Sequence, residues 1–376
     1  MKINRIGLTL TMLLALGASE PAWSQTVVKI GVAGPLTGGS ARTGKDNERG
    51  VRLAIEELNA RKLVIGGSTV SFDLLSEDDA SDPKTGVAAA QKLVDAKVKA
   101  VIGHYNSGVS IPAAGVYNAA GIPMVTGASS NPKLTLLGYK YVFRLAANDG
   151  VMGARLAEYA YKNLGAKRVA VIDDRTAYGS GVADVFAQTA RSLGMTVLPR
   201  QYTNDKAADF QAILTKIKGD GPDVIFYGGY YSQAAPLAKQ AKQLGIAAPL
   251  MGGDGICSDA LIKLGGDDIN ERAYCATGGR PLDSLPGGEK FKKAYQTAFN
   301  ENVDVYAPAF YSAMMTVAEA MLKANSVEPA RFAPVLADIH TDTLVGKVNF
   351  DANGDWVGAP VTIQLVKNGK LVTVSP

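Results

Sequence analysis

Cysteine and histidine are almost absent, with two of each in 376 residues. Structural zinc and iron–sulfur centres draw most of their ligands from those residues, so the chain has little material for a metal cluster. Long apolar runs are also missing. Beyond the N-terminal segment no stretch of about 18 uncharged apolar residues occurs, so no helical bilayer span is expected. Neither charge forms a block. The 39 Lys+Arg and 35 Asp+Glu are interspersed and leave a net +4. Without a basic stripe to track phosphates, nucleic-acid binding is not expected. Aromatic residues make up only 7%, and no short-period repeat, Pro-rich stretch or low-complexity linker breaks the chain. What remains is 47% hydrophobic and 20% charged, a globular composition. At ~100–200 residues per domain it is long enough for two or three separate cores.

The N-terminus stands apart. Lys2 and Arg5 precede an apolar run from Ile6 to Ala18, and Pro21-Ala22-Trp23-Ser24-Gln25 supplies small residues for a cut after Ser24. This order marks residues 1–24 as a secretory signal peptide, with no cysteine beyond it for lipid attachment. Export makes the two cysteines informative. Cys257 and Cys275 lie in an oxidising compartment, where a disulfide is the expectation and two buried free thiols the alternative.

From Val27 onward, short β-rich runs alternate with helical periods. Val27–Val32, Val70–Leu75, Lys99–Gly103 and Ile122–Thr126 read as strands. Between them, Glu48–Arg61 carries Val51, Ala54, Ile55 and Leu58 on one helical face. A further helix opens at Ser81-Asp82-Pro83, with Val87, Gln91, Val94 and Val98 in register. Ile111–Asn118 reads as a short helix. The rhythm restarts at Val151–Leu164, with strands at Arg168–Asp173, Met195–Tyr202, Asp223–Tyr227 and Pro249–Met251. Helices are expected at Val182–Leu193, Phe210–Ile217, Gln233–Leu244, 288–300 and 306–324, and strands in the tail 345–374. Such alternation means parallel βαβ units, here in two sets. The expected fold class is α/β, two doubly wound lobes. Ligands of such sheets sit beyond the carboxyl ends of the strands.

Several motifs lose on inspection. Gly39-Ser40-Ala41-Arg42-Thr43-Gly44-Lys45-Asp46 resembles a phosphate loop but ends in Asp46, where a hydroxyl should hold Mg²⁺. Asp351-Ala352-Asn353-Gly354-Asp355 starts like a Ca²⁺ loop, yet Trp356 and Thr362 stand where Gly and Glu are needed, so a turn is expected. His104 ends a strand without a Ser/Asp partner, His340 lies far along the chain, and there is no G-x-S-x-G. A hydrolase therefore lacks an activated nucleophile, and His104 reads as structural or as a gate.

The small polar clusters carry more. Ser107 follows one strand, and Gly127-Ala128-Ser129-Ser130 follows the next. Both set hydroxyls and free N–H groups at helix starts, which suit an anion. Neither cluster contains Lys or Arg, so a carboxylate fits better than a polyphosphate. Later, Asp254 stands in Gly252-Gly253-Asp254-Gly255 after a strand, a carboxylate able to meet a cation. Tyr178 and Tyr230 occupy strand-to-helix loops, where a ring walls a pocket and its hydroxyl donates. An anion-binding face opposite a cationic, aromatic one is the chemistry of an amino-acid zwitterion.

These residues resemble the periplasmic solute-binding proteins of branched-chain amino-acid ABC uptake systems, the leucine/isoleucine/valine-binding type. The matching stretches include Lys29–Gly38, Asp78–Pro83, Val101–His104, Ile122–Thr126, Tyr178–Gly181 and Phe226–Tyr230, spread over essentially the whole chain after the leader. The resemblance implies the type I periplasmic binding protein fold: two lobes, hinged by three crossings, closing on the ligand. It implies lobes of 25–147 plus 279–350 and 148–278 plus 351–376. By the same resemblance Ser107, Ala128 and Ser130 hold the α-carboxylate with Ser129 alongside, Asp254 meets the ammonium where the family often has Glu, and Tyr178 and Tyr230 wall the pocket. Thr43 replaces an aromatic, which leaves one wall more open. Ser81 and Asn106 stand where some relatives have a disulfide, so a Cys257–Cys275 bridge would be a different one. The implied function is capture of a hydrophobic amino acid, Leu, Ile or Val first, and delivery to a membrane permease with its cytoplasmic ATPase, by a periplasmic monomer without cofactor or catalysis. A sensor subunit, or a binder of another amino acid, an amide or a small carboxylate, is the alternative.

Overall fold

The computed structural model describes residues 25–375. The leader expected at 1–24 lies outside the described residues. In chain order the first part contains β1 (Gln25–Gly34), α1 (Ala41–Ala60), β2 (Val64–Ile65), β3 (Ser68–Asp78), α2 (Pro83–Asp95), β4 (Ala100–Gly103), α3 (Ser107–Ala120), β5 (Met124–Thr126) and β6 (Val142–Arg144). The second contains α4 (Asp149–Lys162), β7 (Arg168–Asp173), α5 (Ala177–Ser192), β8 (Thr196–Val197), β9 (Gln201–Tyr202), α6 (Gln211–Asp220), β10 (Val224–Gly228), α7 (Tyr231–Gln243), β11 (Leu250–Gly252), α8 (Asp259–Gly265) and β12 (Ala273–Thr277). The chain then returns through α9 (Gly288–Phe299), α10 (Ala307–Lys323), α11 (Pro329–Ala337), β13 (Thr341–Thr343) and β14 (Gly346–Val348), and ends in β15 (Thr362–Lys367) and β16 (Lys370–Ser375).

Two main sheets result. The first runs β2-β3-β1-β4-β5-β6, with β3 to β6 parallel and β2 antiparallel at one edge. The second runs β16-β15-β12-β11-β10-β7-β8, parallel from β12 to β8, with β15 and β16 antiparallel. Alternation along β4 sends Val101 and Ile102 into hydrophobic clusters on opposite faces, as expected of a strand covered on both sides. In each sheet the order reverses once, between β1 and β4 and between β7 and β10, which opens a crevice at their carboxyl ends. The returning α10 packs on α1, β4 and β5, whereas β15 pairs β12. The chain therefore passes between the sheets three times, near 145–148, 278–287 and 349–361. Fully buried Arg144 fastens the first of these passages to the third. It donates to the Ser129 and Asn131 carbonyls and pairs with Asp355.

Local corrections have physical causes. The first helix starts at Ala41, not Glu48, so the phosphate-loop look-alike is helical. A Cβ on Gly44 would lie 2.0 Å from the Pro35 carbonyl oxygen, and only glycine lets the helix pass there. Asp46 is buried in the same helix and accepts from the Tyr295 hydroxyl and from the N–H groups of Asp304 and Ala307. In α2, Asp82 caps as expected, accepting from Thr85 N–H at 2.8 Å. Its buried stripe, however, is Gly86, Ala89, Ala90 and Leu93; Gln91 is exposed. Close packing on α3 selects the small residues, since a Cβ at Gly86 would sit 2.2 Å from Val109. The helix read as Ile111–Asn118 starts at Ser107. The run Met195–Tyr202 breaks into two short strands. At Asp351–Asp355 the chain turns, Asp351 Oδ1 accepting from Asn353 and Asp355 N–H. His104 is fully buried between Asp79 (2.7 Å) and the Tyr117 hydroxyl (3.1 Å). Cys257 and Cys275 are joined by a disulfide.

Candidate functional site

The carboxyl ends of β4 and β5 face those of β7, β10 and β11 across the crevice. A small cavity of about 10 Å³ lies there, lined by Ser107, Ala128, Ser130, Tyr178, Tyr230 and Asp254, together with Tyr105, Gly255 and Tyr306. Six of the seven residues singled out in the sequence thus come together. Ser129 does not line the cavity. Its hydroxyl turns inward and donates to the carbonyls of His104 (3.1 Å) and Tyr105 (3.0 Å), so it holds the β4–α3 turn rather than facing the cleft.

On the first lobe Ser107 opens α3, where the first-turn N–H groups lack intrahelical acceptors. Its hydroxyl oxygen accepts from Asn131 N–H at 3.2 Å, which fixes the side chain beside the Ala128–Ser130 turn. Ala128 N–H in turn donates to Thr126 Oγ1 at 3.1 Å. The hydroxyl of Ser130 is buried and has no partner among the described residues.

On the second lobe Asp254 opens a single 3₁₀ turn, Asp254–Ile256, directly after β11. It is 3% exposed, and one carboxylate oxygen has no hydrogen-bond partner among the described residues. Burial pushes its pKa up to about 6, against hydrogen bonds from Tyr178 and Tyr306 that favour the charged form. The Tyr178 oxygen also accepts from Gly255 N–H at 2.8 Å and so anchors the turn. Four tyrosine rings form a chain across the cleft. Tyr306 and Tyr105 meet edge-on at 5.2 Å, Tyr105 meets Tyr230 at 5.8 Å, and Tyr230 meets Tyr178 at 5.2 Å.

Three contributors escaped the sequence reading. Tyr306 arrives from the returning segment, far along the chain, and only the second passage between sheets brings it here. Tyr105 stands in the loop after β4 among the polar residues His104, Asn106 and Ser107. Asp149, two residues before the expected helix start at Val151, is fully buried in the first turn of α4, and neither of its carboxylate oxygens has a hydrogen-bond partner among the described residues. Burial and the nearby Asp254 charge raise its pKa well above its ordinary value, with the Arg144 charge opposing. Two buried carboxyls beside one cavity, with Arg144 already committed to Asp355, suit a ligand that brings its own positive charge. Thr43 is 2% exposed, faces the Tyr231 hydroxyl and is not among the residues that line the cavity.

The lobes also touch outside the cavity. Tyr231 donates to the Gly39 carbonyl (3.0 Å), Ser258 to Asp304 (2.8 Å), and Asn131 to the Ala177 carbonyl (2.6 Å). Behind Asp254 and Tyr306 lies a second, larger cavity of about 290 Å³, bordered by the passages at Gly278, Arg280 and Trp356. Among the described residues no group of three or more His, Cys, Asp or Glu is arranged to hold a metal, and no helix is long and apolar enough to cross a membrane.

Comparison with known proteins agrees with this geometry. A family model described as periplasmic binding protein matches residues 27–370. The chain is 34% identical to an amino acid binding protein of Pseudomonas aeruginosa, with 94% of each chain covered. It superposes with a TM-score of 0.85 on a leucine binding protein of Thermotoga maritima, 32% identical, covering 93% of this chain and 98% of that one. A branched-chain amino acid transporter substrate binding protein of Streptococcus pneumoniae, solved with isoleucine, gives a TM-score of 0.84 at 26% identity, covering 93% and 100%.

Proposed function

The chain belongs to the periplasmic binding protein family, and from that premise we propose that it captures a hydrophobic amino acid of the Leu, Ile or Val type in the periplasm for an ABC importer. Members of this family bind a substrate and hand it on without altering it. Ser107 and Ser130 receive the α-carboxylate with Ala128 lining the turn beside it, Asp254 receives the ammonium with Asp149 behind it, and Tyr178 and Tyr230 close over the side chain. The lobes are proposed to run over 25–147 plus 279–350 and over 148–278 plus 351–376, the closed pair being what the permease and its ATPase engage. The protein acts as a monomer. The observation that supports this most directly is the pairing, across one cavity, of the Ser107 and Ser130 hydroxyls with a buried carboxylate, one oxygen of which has no hydrogen-bond partner among the described residues. Closing the cleft excludes water and strengthens both contacts.

A thermal-shift screen of the twenty amino acids, small amides and small acids tests it. A ligand at about 100 times its Kd adds ~2.7 kcal/mol of stability. A screen in which only uncharged or purely anionic compounds shift the melting point would reject the zwitterion site. Ser107→Ala is expected to cost about 0.5–1.5 kcal/mol of binding by titration calorimetry, the range for one hydrogen bond. A loss larger than that of Asp254→Ala would reverse the assigned poles.

A further inference from the structure

We infer that Asn131 couples capture of the ligand's carboxylate to closure of the lobes: its backbone orients the Ser107 hydroxyl, and its side chain grips the opposite lobe. The inference rests on the amino-acid reading above and deepens it.

Asn131 directly follows Ser130, at the end of the first-lobe turn beside the cavity. Its N–H donates to Ser107 Oγ at 3.2 Å. A hydroxyl has one proton and two lone pairs. With a lone pair taken by this N–H, Ser107 keeps its own proton to donate to an anion in the cleft. The Asn131 carbonyl accepts from Arg144 at 2.8 Å, the residue that clasps two of the passages. Its side-chain oxygen accepts from Lys133 N–H at 2.9 Å, and this assigns the amide: Oδ1 turns back to its own lobe and Nδ2 faces forward. Nδ2 then donates to the Ala177 carbonyl at 2.6 Å, on the second lobe and next in sequence to the pocket wall Tyr178.

Opposite this amide stands Gly181 of α5. A Cβ there would lie 2.6 Å from Nδ2, closer than side chains approach. Gly181 does not have a positive φ, and alanine is the better helix former, so the helix itself gives no reason for a glycine. The amide reaching in from the other lobe does. Parting the lobes breaks the bond to Ala177 and leaves those to Ser107, Arg144 and Lys133 in place. A carboxylate on Ser107 and Ser130 therefore steadies the turn that carries the Nδ2 hook, and an engaged hook steadies Ser107 in return, as linkage requires.

Leucine, isoleucine and valine, then the remaining amino acids, are titrated by calorimetry, and their release is timed by stopped-flow fluorescence. The proteins are wild type, Asn131→Ala, Gly181→Ala and the double variant, each freed of bound ligand by unfolding and refolding with the disulfide intact. Asn131 does not line the cavity, so Asn131→Ala should weaken every ligand by one common factor, about three- to tenfold, the worth of one hydrogen bond. The loss should appear in the dissociation rate and not in the association rate. Gly181→Ala should act in the same way, with the melting point of its ligand-free form no lower than that of wild type. Without an amide to meet, the added methyl should cost nothing more, so the double variant should bind as Asn131→Ala does. Losses that multiply in the double variant, factors that differ among ligands, or a lowered melting point with unchanged dissociation rates overturn the inference. If Asn131→Ala does not fold, the dissociation rate of Gly181→Ala decides alone. If amino acids bind and the cycle fails, only the coupling falls; if none binds, the amino-acid reading falls and the coupling with it.

Discussion

Asp254→Ala is expected to lose about 2–5 kcal/mol of binding free energy, the cost of leaving a buried charged partner unpaired. The ammonium would then have only Asp149, whose pKa burial and the neighbouring Asp254 raise. Asp254→Asn should lose nearly as much, because an amide keeps the shape and one acceptor but not the charge. The same residue sets a pH dependence. Its carboxyl is raised to about 6 in the free protein by burial, and a bound ammonium would lower it. Binding then expels a proton below that value. Affinity should be flat above about pH 6 and fall by up to about tenfold per pH unit beneath it. Titration calorimetry from pH 5 to 8 measures both effects. Unchanged affinity in Asp254→Ala, or tighter binding in acid, would remove Asp254 from the site.

The second large effect concerns the bridge beside it. Cys257 N–H donates to the Asp254 carbonyl at 2.9 Å, and Cys275 lies in β12, paired opposite Gly252 of β11. The disulfide thus ties the 3₁₀ turn that presents Asp254 to the neighbouring strand. Replacing both cysteines by serine should cost about 3 kcal/mol of stability, by the loop-closure model for a separation of 18 residues. Because both sulfurs are buried, two hydroxyls in their place add an unmet hydrogen-bonding demand. Chemical denaturation with and without reductant, and thiol titration of the unfolded chain, measure this. Identical midpoints for wild type and the double variant would show that the bridge is dispensable.

What could be read from the sequence follows from what local pattern encodes. Strand–helix alternation, the Asp82-Pro83 helix start and the turn at Asp351–Asp355 all depend on neighbours in the chain, and the structure has each. The loops after β4, β5, β7, β10 and β11 were open to inspection because an open α/β sheet delivers its ligand there. Which side chain of such a loop faces the cleft depends on packing. Ser129 and Ser130 are chemically alike and adjacent, yet one is spent on two carbonyls and the other is not. The stripe of α2 was misplaced for a related reason. Hydrophobic periodicity weights valine, whereas two helices in close contact select glycine and alanine. Tyr306 could not have been assigned, since nothing local connects a residue after α9 with the end of β4.

The three passages between the sheets have a mechanical consequence. Two bodies joined by one cord can twist and slide; joined by three, with Arg144 clasping the first to the third, they keep little freedom beyond a single rotation. Torsion and shear are suppressed, so every stroke returns the same faces to the same alignment. Substitutions in the cords would change how far the jaws rest apart, and with it the work of shutting them. Apparent affinity could then drift by mutation at positions that never meet the cargo.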